Sequence, residues 1–338
     1  MRNIEITATQ IDLIFEQLRH NFGGEFHCDN KERVLNINNK LTRGTIRGTK
    51  IKGGISYLEF NINFNEDIKL ILKSPAKTAI NFAYCSEGKM AHSFNSATNR
   101  TEIETFQTAI VSNIEHEQNI LYFYRDTQSS TSIISVNTLF GDSKKFSINH
   151  QLRKRFITGK TEDILFIGSS NLKIAQQIKQ VHAIKQKGLV RTLLIEGLVH
   201  LILALELEQH KRDTLSKKNL KGNLSSKEMT KVKDLSEFIN NYPETSLTVT
   251  ELSHKIGLTP TKLQEGFKLM HGTTVNNYIR DVRVMKSEEL IKTTDLNISQ
   301  ILYTLGFSSR SYFSKIFKEK YNCSPSIYKE QNKLAISI

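Results

Sequence analysis

The sequence predicts an α+β protein in two parts: an N-terminal β-rich sandwich or small barrel with a helical pair, and a C-terminal all-α domain with two helix-turn-helix units. Three observations predict this. Apolar residues recur at every second position between about Gly44 and Asn137, they recur at helical spacing after Asn171, and beyond Lys233 short helical runs are punctuated by glycines and capping residues. The 338 residues suffice for two domains. Their expected spans are 1–212 and 231–335, joined by a basic linker at 213–230.

The first element is a short amphipathic helix, with Ile11, Ile14, Phe15 and Leu18 on one face and Gly23-Gly24 as its stop. Period-two strands follow. Leu58, Phe60, Ile62 and Phe64 alternate with Glu59, Asn61, Asn63 and Asn65, and Ile68, Leu70 and Leu72, then Ile80, Phe82 and Tyr84, repeat the pattern. Runs at 119–125 and 131–136 read as further strands. Ser170-Asn171 cap a helix carrying Ile174, Ile178 and Val181, which ends at Gly188. The next helix, about Leu189 to His210, has a broad stripe: Leu193, Leu194, Leu198, Leu201, Ile202 and Leu205. Such a stripe expects either a second subunit beside the β-domain or packing within one chain. Arg191, Glu196, His200 and Glu206 interrupt it, which argues against a membrane span. From Lys211 to Lys233 the chain is polar and basic and reads as an exposed tether.

Composition is near the globular average, at 38% hydrophobic and 24% charged. The N-terminus lacks the apolar core of a secretory signal. Cys28, Cys85 and Cys323 are too scattered for a disulfide framework or a zinc finger, as expected of a cytoplasmic protein. His20, His27, His92 and His116 lack metal-ligand spacing, and no nucleophile–base set stands out, so neither an enzyme, a metal nor a cofactor is expected. The net charge of +13 invites a nucleic-acid partner, yet 16 basic against 12 acidic residues from Ser226 onward leave most of the surplus upstream.

In the C-terminal part, Val232, Leu235, Phe238, Ile239 and Tyr242 form one helix face, ending before Pro243. Thr248 and Glu251 form a capping box for a helix that ends at Gly257, and Thr259-Pro260 start the next, which runs to Gly272. A long helix from about Thr274 to Thr294 should bury Val275, Tyr278, Ile279, Val282 and Met285. The pattern then repeats: Asn297 caps a short helix, Gly306 turns the chain, and Ser308-Ser309 cap a helix with Tyr312, Phe313, Ile316 and Phe317 inward.

The segment NISQILYTLGFSSRSYFSKIFKEKYNCSPSIYKE resembles the signature of the AraC/XylS family of transcription regulators. Its skeleton is Gly306, Phe307, Ser309, Ser311, Tyr312, Phe313, Ser314, Phe317, Lys318, Ser324, Pro325 and Tyr328. Leu263, Phe267, Lys268, Gly272, Tyr278, Ile279 and Arg283 fit the family's first unit, and the wording there is similar to the branch regulating siderophore uptake, the pyochelin-type regulators. The sequence departs from the family at Asn322, where glycine is usual, at Ser287 and Leu302, where alanine is usual, and at Lys329, where arginine is usual.

The resemblance implies a sequence-specific, effector-responsive activator that inserts two recognition helices, about 260–271 and 309–320, into successive major grooves. With Leu263 and Phe267 as anchors, Thr261, Lys262, Gln264 and Glu265 face outward, and family correspondence puts base contacts at Thr261, Gln264 and Glu265. In the second unit Arg310, Ser311 and Lys315 face the groove, with Arg310 matched to guanine O6 and N7. Lys268, Arg280 and Lys318 are the expected phosphate contacts. The expected partners are double-stranded DNA, RNA polymerase, a small-molecule effector with a siderophore among the options, and a second copy of the chain, with no membrane. The rival reading is an architectural DNA-binding protein without effector response.

Overall fold

The computed structural model describes residues 1–29, 31–95, 100–140, 147–215, 224–245 and 248–336. It divides into two compact units, Met1–Lys221 and Gly222–Ile338.

The first unit is a β-sandwich. Its elements begin with β1 (Arg2–Ile6), α1 (Ile11–Phe22), β2 (Glu25–Asp29), β3 (Glu32–Asn38), β4 (Thr42–Ile51), β5 (Ile55–Phe64) and β6 (Ile68–Lys73). They continue with β7 (Ala79–Glu87), β8 (Met90–Phe94), β9 (Thr101–Ile103), β10 (Gln107–Ser112), β11 (Gln118–Phe123) and β12 (Gln128–Asn137). Then come α2 (Ile148–Phe156), β13 (Ile164–Ser170), α3 (Leu172–Ala183) and α4 (Gly188–Leu215). One sheet has the order β1-β6-β11-β8-β9, the other β13-β10-β7-β12-β5-β4-β3-β2. The β1–β6 pair is parallel and the other ladders are antiparallel. The apolar side of the alternation closes the space between the sheets: Phe60 and Phe64 meet Phe123 with ring centroids 5.4 and 5.5 Å apart. α1 packs Phe15, Leu18 and Phe22 into the same core. It approaches β4 so closely that a Cβ on Gly48 would lie 2.4 Å from the Phe15 ring.

The outward face of the larger sheet is unusual. Register aligns Thr108, Tyr84, Ser132, Glu59 and Arg47 as one rung across β10, β7, β12, β5 and β4. α3 and α4 supply polar partners to this side of the sheet and its β13 edge. Tyr84 donates to the Asn171 carbonyl at 2.7 Å, and His182 of α3 bonds Glu59, which is 2% exposed. Asn171 donates to Gln209 at 3.0 Å, and Asp213 accepts from the Ser169 amide and hydroxyl, each at 2.8 Å. Glu206 is 1% exposed and neither carboxyl oxygen has a hydrogen-bond partner among the described residues; burial pushes its pKa well above the ordinary carboxylate range.

α4 is long and apolar enough to cross a membrane by length and composition alone. Part of its surface is tied to the sandwich: Arg191 holds Glu32 through two bonds of 2.7 and 2.8 Å, and Glu196 accepts from Lys31 at 2.9 Å. Of the stripe read from the sequence, Ile202 is buried while Leu193, Leu194 and Leu201 are exposed within this chain.

The sequence reading missed β1, the β2–β3 pair, α2 and β13. It also overextended the linker. α4 reaches Leu215 and the next helix starts at Ser226, while 216–223 lie outside the described residues. The aromatics Tyr57, Phe60, Phe82, Tyr122 and Tyr124 of the sandwich occupy different faces. Phe60 lies between the sheets, Tyr57 and Phe82 on the outward face of the larger sheet, and Tyr122 and Tyr124 in a separate cluster.

The second unit is all-helical: α5 (Ser226–Asn241), α6 (Val249–Ile256), α7 (Pro260–His271), α8 (Val275–Thr293), α9 (Ile298–Thr304), α10 (Arg310–Tyr321) and α11 (Pro325–Ile336). Leu263, Phe267, Val275 and Ile279 are buried in the first half, and Ile301, Leu302, Phe313 and Phe317 form the core of the second. Leu302, where the family favours alanine, is fully packed.

Candidate nucleic-acid interface

Local chemistry sets both helical pairs. Thr248 Oγ1 accepts from the Glu251 amide at 3.2 Å, and the Glu251 carboxylate accepts from the Thr248 amide at 3.1 Å, which starts α6. Gly257 adopts the left-handed conformation, φ 63°, and Thr259 with Pro260 starts α7. In the second pair Asn297 and Gln300 form the equivalent box at 2.9 and 2.8 Å, Gly306 turns at φ 73°, and Ser309 Oγ accepts from the Tyr312 amide at 3.3 Å. Asn322, in place of the family's glycine, also sits in the left-handed region, φ 59°. The two expected recognition helices therefore correspond to α7 and α10, each with its apolar anchors inward.

Their outward side chains differ in availability. On α7, Thr261 and Lys268 are exposed. Lys262 Nζ is 2.7 Å from Glu228 Oε1 of α5, and this ion pair holds the Glu228 carboxyl at about 2. Gln264 Oε1 accepts from the Val275 amide at 3.2 Å, so part of its hydrogen-bonding capacity goes to the start of α8. Glu265 is partly buried and engaged by its surroundings.

On α10, Arg310, Ser311, Lys315 and Lys318 are exposed, and their side chains make no hydrogen bond or ion pair with the described residues. Lys320 adds a fourth cation to this helix against one acid, Glu319. Arg280 of α8 donates to Asp281 Oδ1 through two 3.1 Å bonds; burial opposes its charge, but Asp281 and Tyr312 outweigh it and raise its pKa.

Two packing expectations are corrected. Tyr312 is 49% exposed and Met285 47%. Each borders a buried stripe too narrow to include it: Phe313, Ile316 and Phe317 fill the α10 core contact, and Val282 and Val284 are the buried neighbours of Met285 on α8. Sequence reasoning also missed Glu228 as the partner of Lys262. Its signal was Ser225 three residues earlier, a capping box inside a stretch read as tether.

No group of three or more His, Cys, Asp or Glu able to hold a metal occurs among the described residues. Residues 252–331 match the family described as "Helix-turn-helix domain". The chain is similar to "Probable transcription factor PqrA" of Proteus vulgaris, with 30% identity over 84 residues, covering 25% of this chain and 69% of that protein. It is also similar to "HTH-type transcriptional regulator CdhR" of Pseudomonas aeruginosa, 32% identical over 88 residues, or 26% of each chain. Four of the curated relatives are spanned over only 7%, 26%, 34% and 49% of their length. Among solved structures, ToxT of Vibrio cholerae aligns with 81% of this chain and 97% of its own at 16% identity and a TM-score of 0.30.

Proposed function

We propose that this chain, which belongs to the AraC/XylS family of transcription regulators, reads a specific DNA site with α7 and α10 in successive major grooves. The observation that carries this reading is the repeated glycine-turned helix pair whose second helix presents Arg310, Lys315 and Lys318 without competing partners among the described residues. Arg310, at the first turn of α10, is placed to fork onto guanine, and Lys268 and Lys318 to neutralise phosphates. Lys262 and Gln264 join only by exchanging their present partners.

The protein acts in the cytoplasm, on DNA and through RNA polymerase, with a small-molecule effector read by the β-sandwich. Support for a polar effector comes from the chain His92–Asn119–Asn113, linked at 2.9 and 2.8 Å on the core side of β8 and β11. Its ends, His92 Nδ1 and Asn113 Nδ2, are buried and have no hydrogen-bond partner among the described residues, and burial lowers the His92 pKa. The likeness to the siderophore-uptake branch makes a siderophore the first effector to test. A second copy of the chain covers the exposed stripe of α4, where Val190, Leu194, Gly197, Leu201 and Ala204 repeat at alternating spacings of four and three.

The test is binding of the full chain to its own upstream DNA against scrambled DNA, with Arg310→Ala in parallel. Selective binding that the substitution relaxes at one base pair by about 1–3 kcal/mol is expected. Equal affinity for scrambled DNA, unchanged by the substitution, overturns this reading in favour of an architectural protein.

A further inference from the structure

We infer that Arg283 is a positioning residue that sets the separation of the two DNA-reading helices, and with it the operator spacing the protein accepts. This rests on the reading that α7 and α10 both enter DNA. Arg283 sits in the middle of α8, the helix shared by both halves: Val275 and Ile279 are buried in the first half, Val284 and Ile291 in the second core.

Its guanidinium reaches two separate turns at once. Nε donates to the Pro243 carbonyl at 2.7 Å and Nη2 to the Thr245 carbonyl at 3.0 Å, both in the segment between α5 and α6. Nη1 donates to the Gly306 carbonyl at 2.9 Å, in the turn that aims α10. The turns are close enough that a Cβ on Gly306 would lie 3.0 Å from Arg283 Nη2 and 3.1 Å from the Glu244 carbonyl. No side chain other than arginine offers three such donors in a rigid plane. The acceptors are backbone atoms, so the strap fixes the path of both turns rather than the rotamer of one neighbour. Partial burial lowers the Arg283 pKa, while Glu244 works the other way.

Rigid separation has a readout in DNA. One inserted base pair moves the second recognised segment about 3.4 Å along the axis and about a tenth of a turn around it. A strapped pair of helices pays for that mismatch, whereas an unstrapped pair follows the DNA. The experiment first footprints the wild-type full chain. Its affinity is then compared with those of Arg283→Met and Arg283→Lys on duplexes whose two recognised segments are separated by −1, 0, +1 or +2 base pairs.

The wild type is expected to lose about tenfold or more per inserted pair, by the scale of a mismatched contact. Arg283→Met should bind the native spacing about tenfold more weakly yet vary by no more than about threefold across the series. Arg283→Lys, which keeps the charge without the fork, should fall between them. A spacing profile parallel to wild type in either variant, weakened or not, overturns the inference. If Arg283→Met does not fold by circular dichroism and thermal melting, the Lys variant decides. A wild type without a footprint overturns the DNA reading itself.

Discussion

Lys262 Nζ donates to Glu228 Oε1 across 2.7 Å, so a cation on α7 is bound to α5 through the same carboxylate that closes the α5 capping box. Any contact of Lys262 with DNA has to displace this pair. Glu228→Gln keeps the capping pattern and removes the charge. Affinity for DNA should then rise about two- to tenfold at low ionic strength, and the log–log salt slope should steepen by up to about one. Binding isotherms at four salt concentrations decide it; an unchanged slope means Lys262 never reaches the phosphates.

The same pair makes a statement about pH. With its carboxyl held at about 2, Glu228 contributes stability that is present above the unfolded value of about 4.3 and is lost as pH falls toward 2. Between pH 5 and 9 Glu228 should add no step to DNA affinity, and titrating binding across that range checks it.

Glu206 has the opposite sign. Its folded pKa is raised, so its contribution is fully present below the unfolded value and declines as pH rises toward the folded one. Glu206→Leu removes two unpartnered buried oxygens at similar volume. It should stabilise the sandwich by about 1–3 kcal/mol near neutral pH and flatten its stability between pH 5 and 8. Denaturant melts at three pH values test this, and a destabilised Leu variant would show that the carboxyl has a partner in solution.

Gly48→Ala places a methyl against the Phe15 ring, and β4 cannot recede without breaking its ladders with β3 and β5. Overpacking of this kind costs about 1–3 kcal/mol. Thermal unfolding should show the loss, and Phe15→Leu in the same chain should recover part of it.

Leu194→Glu with Leu201→Glu puts two charges on the exposed α4 stripe without touching the buried side that carries Ile195, Val199 and Ile202. If a second copy covers the stripe, sedimentation should shift from dimer to monomer while circular dichroism stays constant. A monomeric wild type that binds lipid vesicles instead would assign the stripe to a membrane.

The helical unit was legible because its signals are local. Thr248, Gly257, Thr259-Pro260, Asn297 and Gly306 each specify a boundary through hydrogen bonds within four residues. The missed strands depend on distant partners: β1 finds its ladder with β6, more than sixty residues on, and β13 pairs back onto β10. β2 is an edge strand with mostly exposed residues, so no apolar alternation marks it. On α7, periodicity was silent about neighbours. Nothing in the spacing of Lys262 or Gln264 announces Glu228 or the Val275 amide, which come from elements that meet only in the folded unit.

The seam beneath α3 and α4 behaves mechanically unlike an apolar one. Dispersion contacts re-form wherever a helix slides, so greasy surfaces permit graded drift. Hydrogen bonds have narrow distance and angle limits. A shift of the pair along the sheet would break Glu59–His182, Asn171–Tyr84 and Asp213–Ser169 together, with no halfway arrangement that restores them. The helical pair therefore rests in a detent. Displacement of α4, the last described helix of the sandwich unit, is a stepwise event with a threshold, not a continuous bend.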